Sequence, residues 1–383
     1  MTTSPFSPPP PPGSFEPDTP GRIVVRISDP GTLISAVPAL LGFHPRRSLV
    51  AVCLTGAGVG AVMRHDLELG ADDRLAPVMD LVLAQFAGVA AREGADRVLV
   101  LLVDDRLPAR PRPADLMRHH LIVDEFSDLL WHNDIELAQA LVCPRIAVGA
   151  PWQDLDGGHC GTLPDPGSSE VAVAQVVGGR VIRASRSELD DVIAPAAPPV
   201  RERVADLIDD ARERRVQAAA LAPVAADRTT VERAGLDTVL ARITQLDSGD
   251  EPDPAAIADL ALALEITAVR DAVLALALGE QADAAEQLWI HLARMLPDPE
   301  RAEPLALLGY SAYARGDGPM AGIALAAALA ADPCHGLAGL LDRALQNGVR
   351  PTSLRELAEL GHDIAGDLGI DLPPPAPLPP CGV

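Results

Sequence analysis

Lysine is absent from this chain of 383 residues, so all 31 basic side chains are arginine. A phosphate-binding loop of the GxxxxGKS/T type, a Schiff-base aldolase, a pyridoxal phosphate enzyme and a kinase ATP site each need a lysine ammonium and are excluded. GC-rich coding, which trades Lys codons for Arg codons, produces this pattern. Positive charge is also short overall: 54 Asp and Glu against 31 Arg leave a formal charge of -23. Neither half hides a basic region, since residues 1–198 hold 16 Arg and 25 acidic residues and the remainder holds 15 and 29. We therefore expect neither a nucleic-acid partner nor binding to an anionic membrane surface.

Aromatic residues make up only 3% of the chain, so its 48% hydrophobic content is mostly Ala, Val and Leu, which favours closely packed helices. The five cysteines, Cys53, Cys143, Cys160, Cys334 and Cys381, are odd in number and far apart, with none in a CxxC pair. That argues against a disulfide scaffold. No apolar run approaches the roughly 18 residues of a membrane span, and the first residues lack the order of a signal peptide. We expect a soluble, cytoplasmic protein.

What is present divides the chain in two. Residues 1–20 and 372–383 are Pro-rich and read as tails, the second with a PxxP-like composition. From Ile23 to Ile27 a strand is predicted, then a helix capped by Asp29 with Pro30 in its first turn, bent at Pro38 and stopped at Gly42. Ser48 to Leu54 and Gly60 to Leu69 form a predicted hairpin, and a helix follows Pro77. The uninterrupted apolar run at residues 97–103 has the character of a central buried strand. A helix over 113–133 and a strand from Glu136 to Cys143 complete an α/β sandwich with a mixed sheet, assigned to residues 21–194. Trp152, Gly157, Gly158 and Gly161 read as a loop.

A Pro/Ala segment at 195–200 marks the change of texture, and residues 201–371 carry helical periodicity alone. Helices are predicted at about 200–218, 229–245, 255–265, 267–279, 282–296, 302–315, 318–331, 336–347 and 352–361. Leu305, Leu308, Gly309, Ala321, Leu325, Ala328 and Pro333 sit at the spacings of a tetratricopeptide helix pair. Ala285, Trp289, Leu292 and Pro297 occupy corresponding places one repeat upstream. An all-α, tetratricopeptide-like domain that binds a protein partner is the expectation.

The candidate chemistry centres on the segment Gly42, Phe43, His44, Pro45, Arg46, Arg47, Ser48, at the junction of a helix and a strand. Imidazole titrates near neutrality and the guanidinium fork suits carboxylate or phosphate, so Gly42, His44, Arg46, Arg47 and Ser48 form a candidate site for a small anionic ligand. The same residues also suit a helix stop, a core plug and a solvated turn. A hydrolase or transferase with His44 as general base, oriented by Asp66 or Asp104, is the catalytic alternative. Ser48, with His44 or His65 and Asp66 or Asp29, assembles a nucleophile triad on paper, but no GxSxG elbow surrounds it. Asp104 and Asp105 close a strand, where α/β sheets place ligand carboxylates or simple loop caps. Cys143, His159 and Cys160 offer metal-ligand chemistry at a spacing unlike the paired ligands of structural zinc sites. His119, His120, Asp124 and Glu125, three to six apart on a helix, offer ligands by spacing but more often form a hydrated face. No cofactor is expected, because no dinucleotide GxGxxG opens a helix.

Asp29-Pro30, Leu33, the Val37-Pro38-Ala39-Leu40-Leu41 run into Gly42-Phe43-His44-Pro45, and Ser48-Leu49-Val50 together resemble the start of the actinobacterial family called domain of unknown function 4192. The resemblance continues through Val98-Leu99-Val100, through the stretch from Gly161 to Pro166, and from Leu288-Trp289 to Asp332-Pro333. It covers most of residues 22–350. Family members often carry a Trp-rich and Cys-rich segment before the position of Gly161, of which Trp152 and Cys160 remain here. The resemblance implies no established activity, and it adds weight to the His44 segment as a site.

Overall fold

The computed structural model describes residues 29–373 except 57, 71–73, 178–181, 222–226 and 248–251. The tail at 1–20, the strand expected at Ile23 to Ile27 and all but two residues of the tail at 372–383 lie outside the described residues.

The first helix, α1 (Pro30–Leu41), starts where its sequence dictates. Asp29 is extended and accepts a hydrogen bond from the Thr32 amide at 3.0 Å, with Pro30 in the first turn, and Gly42 ends the helix in the left-handed region at φ 73. Then come β1 (Ser48–Thr55), β2 (Gly58–Asp66), α2 (Pro77–Arg92), β3 (Arg97–Val103), α3 (Pro113–Trp131) and β4 (Glu136–Cys143). Two short strands, β5 (Pro151–Asp154) and β6 (Cys160–Thr162), finish a six-stranded sheet of order β2-β1-β3-β4-β5-β6. Within this sheet β3 and β4 pair in parallel, joined by the crossover helix α3, and the other neighbours pair antiparallel. The mixed sheet is thus as expected, with a single parallel pair.

Residues at the sheet centre sort by the two-residue period of a strand. Leu49, Ala51 and Cys53 of β1, with Val98, Val100 and Leu102 of β3, join the apolar cluster of α2 and α3. Their alternates, Val50, Val52, Leu99, Leu101 and Val103, join a second cluster that includes α1 and runs on into the helical half. Each buried Val and Leu among them contributes about 1.5–3 kcal/mol.

The loop expected around Trp152 is instead the β5–β6 hairpin, in which Trp152 stands opposite Gly161. Strands of four and three residues with glycines between them carry too little periodicity to be read from sequence. The indole lies where a side chain at residue 161 would be: a Cβ there would sit 2.9 Å from Trp152 Nε1. Two further helices, α4 (Glu170–Val177) and α5 (Arg186–Val192), were not predicted.

The helical half holds α6 (Pro198–Leu221), α7 (Arg228–Asp247), α8 (Pro254–Leu264), α9 (Thr267–Val273), α10 (Ala282–Met295), α11 (Ala302–Ala314), α12 (Gly318–Ala331), α13 (Gly336–Gln346) and α14 (Arg355–Asp367). α6 begins inside the Pro/Ala segment, since proline suits a first turn. The stretch expected as one helix at 267–279 tightens after Val273 into a 3-10 turn at Leu274–Leu278. The chain's two tyrosines both lie buried on α11 and fix the segment before α14: Tyr310 donates to the Leu354 carbonyl at 3.1 Å and Tyr313 to the Val349 carbonyl at 2.6 Å. The halves also meet at α2, where Arg92 donates to the Asn347 carbonyl at 2.7 Å. Among the described residues, no helix is long and apolar enough to cross a membrane.

The Trp152–Gly161 contact gives a direct test. Gly161→Ala forces a methyl against a rigid buried ring and is expected to destabilise the protein by about 1–3 kcal/mol. Gly158→Ala, in the same hairpin with only Asp154 Oδ2 near at 4.0 Å, should be nearly neutral when the two variants are compared by thermal unfolding.

Candidate functional site

Strand register gathers the site. β1 runs antiparallel to both neighbours, with Ser48 opposite Asp66 on β2 and Val103 on β3. The residues just before β1, at the end of β2 and just after β3 therefore meet at the end of the sheet where β3 and β4 finish. A short bridge closes this end: the Arg183 amide donates to the Gly42 carbonyl at 2.8 Å and the His44 amide donates to the Arg183 carbonyl at 3.0 Å. That bridge brings the start of α5 beside the His44 segment. The result is a cleft of about 410 Å³ lined by Phe43, His44, Arg46 and Arg47, by Arg64 and Asp66, by Asp105, and by Ser185, Arg186 and Ser187.

Four guanidinium groups therefore face two carboxylates. Asp105 takes a hydrogen bond from Arg46 Nη2 at 2.8 Å and another from Arg47 Nε at 2.7 Å, and these hold its carboxyl below the usual range. Arg47 adopts φ 43, a left-handed conformation costly for a side chain with a Cβ, while its carbonyl accepts the Leu67 amide at 2.6 Å. Arg64 is different in kind: its side chain is only 8% exposed. Its Nε donates to Ser48 Oγ at 2.9 Å, its Nη2 donates to Asp66 at 2.5 Å, and its guanidinium lies 5.7 Å from the centroid of the Phe43 ring. Nη1 is buried with no hydrogen-bond partner among the described residues. Burial lowers the Arg64 pKa, Asp66 opposes that, and Arg186 adds to it.

His44 is half-buried, and its Nδ1 lies 3.2 Å from the Ile146 carbonyl. A carbonyl only accepts, so Nδ1 carries the proton and the neutral ring keeps its lone pair on Nε2. No carboxylate is bonded to this ring among the described residues. Asp66 lines the same cleft but binds Arg64, and Asp104 does not line it. Ser48 is buried, donating to the Arg46 carbonyl at 2.8 Å while accepting from Arg64. His65 bonds the Asp66 carbonyl, Asp29 caps α1, and Ser48 and Asp66 both bond Arg64, so among the described residues no histidine is bonded to the Ser48 hydroxyl. Gly42 stays outside the cleft wall and shapes it through its turn and its carbonyl.

Asp104 turns the other way from Asp105. Its buried carboxylate accepts from Arg106 Nε at 2.6 Å, from the Arg106 amide at 3.1 Å and from His119 Nε2 at 2.9 Å. His119 is thus a buried partner, correcting the hydrated helix face expected for it. The helical spacing from His119 back to Leu116 and forward to Ile122, Val123 and Phe126, all buried on the inner side of α3, carried that signal. Burial alone would raise the Asp104 pKa, but the bonds from His119 and Arg106 outweigh it and hold the carboxyl well below the usual range.

The metal-ligand candidates are not assembled. Cys143 is buried at the end of β4, where burial pushes its thiol up to about 12, while His159 and Cys160 are exposed on the far hairpin. Among the described residues, no cluster of three or more His, Cys, Asp or Glu is placed to hold a metal. Sequence reasoning named Asp105 as a strand-end carboxylate, ligand or cap, and missed Arg64, Ser185, Arg186 and Ser187 as cleft residues. Hairpin register with Ser48 carries the signal for Arg64, whereas nothing local announces Arg186, more than a hundred residues away from Arg46.

Asp104→Ala leaves Arg106 and His119 without their shared acceptor and is expected to cost about 3 kcal/mol. Because folding depresses this carboxyl below its unfolded value near 4, the stability it supplies is complete above that pH and drains as the pH falls toward the folded value. Urea unfolding of wild type and Asp104→Asn at pH 7 and at about pH 3 checks the sign: the gap between them should narrow in acid.

Comparison with known proteins adds one relationship. No curated protein and no solved structure matches this chain. The model of a family described as domain of unknown function (DUF4192) matches residues 30–352, a span that takes in β1, β3, the cleft and most of the helical half. The chain belongs to the DUF4192 family.

Proposed function

We propose that this protein is a cytoplasmic binding module whose α/β half takes up a small anionic ligand in the cleft beside His44, Arg46 and Arg47. The observation that carries this reading is Arg64: a guanidinium buried to 8% exposure, in the cleft wall, with Nη1 unpartnered. A buried donor left unpaired costs about 1–3 kcal/mol, more when charged, and an anion in the cleft would supply the acceptor. Arg186, exposed at the cleft, has no hydrogen bond or ion pair among the described residues and stands ready for the same partner. The catalytic alternative, a hydrolase or transferase using His44 as base, needs an orienting carboxylate. His44 instead has a backbone carbonyl, which favours binding over turnover.

For the helical half the reading is a protein-binding domain in which α11 and α12 form a tetratricopeptide-like pair. Support comes from Gly309, where a Cβ would lie 2.7 Å from Leu325, and from the burial of Leu305, Leu308, Ala321 and Ala328 around that contact. Small residues at such positions let two helices approach closely.

Titrating millimolar sulfate into the full chain tests the cleft. Sulfate should raise Tm by several degrees, as expected for a ligand well above its Kd. The exposed double variant Arg46→Gln, Arg186→Gln should lose most of that response. An equal rise in the variant would show a general salt effect and remove the site.

A further inference from the structure

The charge count at the cleft narrows the ligand, on the premise that the cleft is an anion site. Arg46, Arg47, Arg64 and Arg186 oppose Asp66 and Asp105, so the arginines exceed the carboxylates by two. A dianion matches that excess, whereas a monocarboxylate leaves one charge unpaired. Donor geometry points the same way. Arg46 and Arg47 each use one nitrogen on Asp105, Arg64 keeps Nη1, and Arg186 keeps its whole fork. A tetrahedral phosphoryl group presents three acceptor oxygens to such a divergent set, and Ser185 and Ser187 add hydroxyls beside it.

The volume speaks to the remainder of the ligand. A cleft of about 410 Å³ holds far more than one phosphoryl group. Its lining holds no Trp or Tyr, and its one phenyl ring, Phe43, is 3% exposed and engaged with the Arg64 guanidinium, so no free phenyl or indole face awaits a base. Hydroxyls, an imidazole and the Asp66 carboxylate, which bonds Arg64 through Oδ1, line the remaining wall, and these suit a hydroxylated body. Asp105 already occupies the anion position between Arg46 and Arg47. Exposed ion pairs of this kind are weak, so an incoming phosphoryl group displaces or shares that carboxylate at little cost.

We infer that the cleft binds a small phosphomonoester of a polar, hydroxyl-bearing molecule in its dianionic form, with Asp105 as the internal carboxylate that the phosphoryl group displaces from Arg46 and Arg47.

Calorimetric titration of the full chain with ribose 5-phosphate, ribose, succinate, sulfate and a phosphoserine heptapeptide, at pH 8 and pH 5, tests this. Ribose 5-phosphate should bind at least tenfold more tightly than ribose or succinate. Its affinity should fall about tenfold from pH 8 to pH 5, because its second ionisation lies near pH 6. Sulfate, a dianion at both values, should not weaken. The charged groups facing the ligand are His44, Arg46 and Arg47 before β1, Arg64 and Asp66 on β2, Asp105 after β3 and Arg186 on α5. Asp105→Asn should tighten ribose 5-phosphate several-fold, and Arg186→Gln should weaken it at least tenfold. Failure of every anion to bind would overturn the anion site itself. If sulfate bound and succinate matched ribose 5-phosphate, the site would stand and the phosphomonoester assignment would fall. Tighter binding of the heptapeptide would replace the small molecule with a phosphorylated protein segment.

Discussion

The alternation of side chains at the end of β3 is the constraint on which the candidate site depends. Val98 to Val103 are buried on both faces, so the strand has no freedom to slip by one residue without exchanging the contents of two cores. The two residues that follow inherit that register. Asp104 is carried to the α3 side, where His119 and Arg106 enclose it, and Asp105 to the side where Arg46 and Arg47 wait. Consecutive carboxylates thus do opposite work, one as a buried fastener between strand and helix, the other as a half-exposed counter-ion in a cleft.

The same constraint explains why a loop of arginines is held rather than solvated. Arg47 sits in a left-handed conformation that an ordinary residue adopts at a cost, and the cost is offset by its carbonyl bond to Leu67 and its ion pair with Asp105. Arg46 shares that carboxylate. Below them Arg64 is anchored through Ser48, whose hydroxyl in turn holds the Arg46 carbonyl. Three of the four cleft guanidinium groups are therefore positioned by hydrogen bonds to one another's surroundings, and this preorganisation reduces what a ligand must order on binding.

How much of this was legible in the sequence follows from the range of each interaction. Helix caps are local, so Asp29, Pro30 and Gly42 announced α1, and in the second half α8, α10, α11, α12 and α13 began and ended within a residue or two of where periodicity put them. The apolar run of β3 was equally plain. What sequence concealed was anything set by pairing across a distance: the β5–β6 hairpin, whose order comes from Trp152 lying over Gly161, and the burial of His119, which depends on Asp104 arriving from β3. The His44 segment could be singled out by residue type alone. Its completion by Arg64 and Arg186 could not, because the first requires hairpin register and the second requires the Phe43–Arg183 bridge.

A cationic cleft on a chain of formal charge -23 also has consequences for selectivity. At physiological ionic strength the Debye length is about 8 Å, so the bulk of the negative surface is screened from an anion already in the cleft, where four arginines dominate. On approach the balance reverses, and the acidic surface slows large polyanions most, because they meet more of it at once. A nucleic acid would be repelled along its length, whereas a small dianion pays only for the short final approach. On the proposed reading, global charge and local site would act together: the surface would exclude extended anions and the cleft would retain compact ones, a form of discrimination that contacts within the cleft alone would not provide.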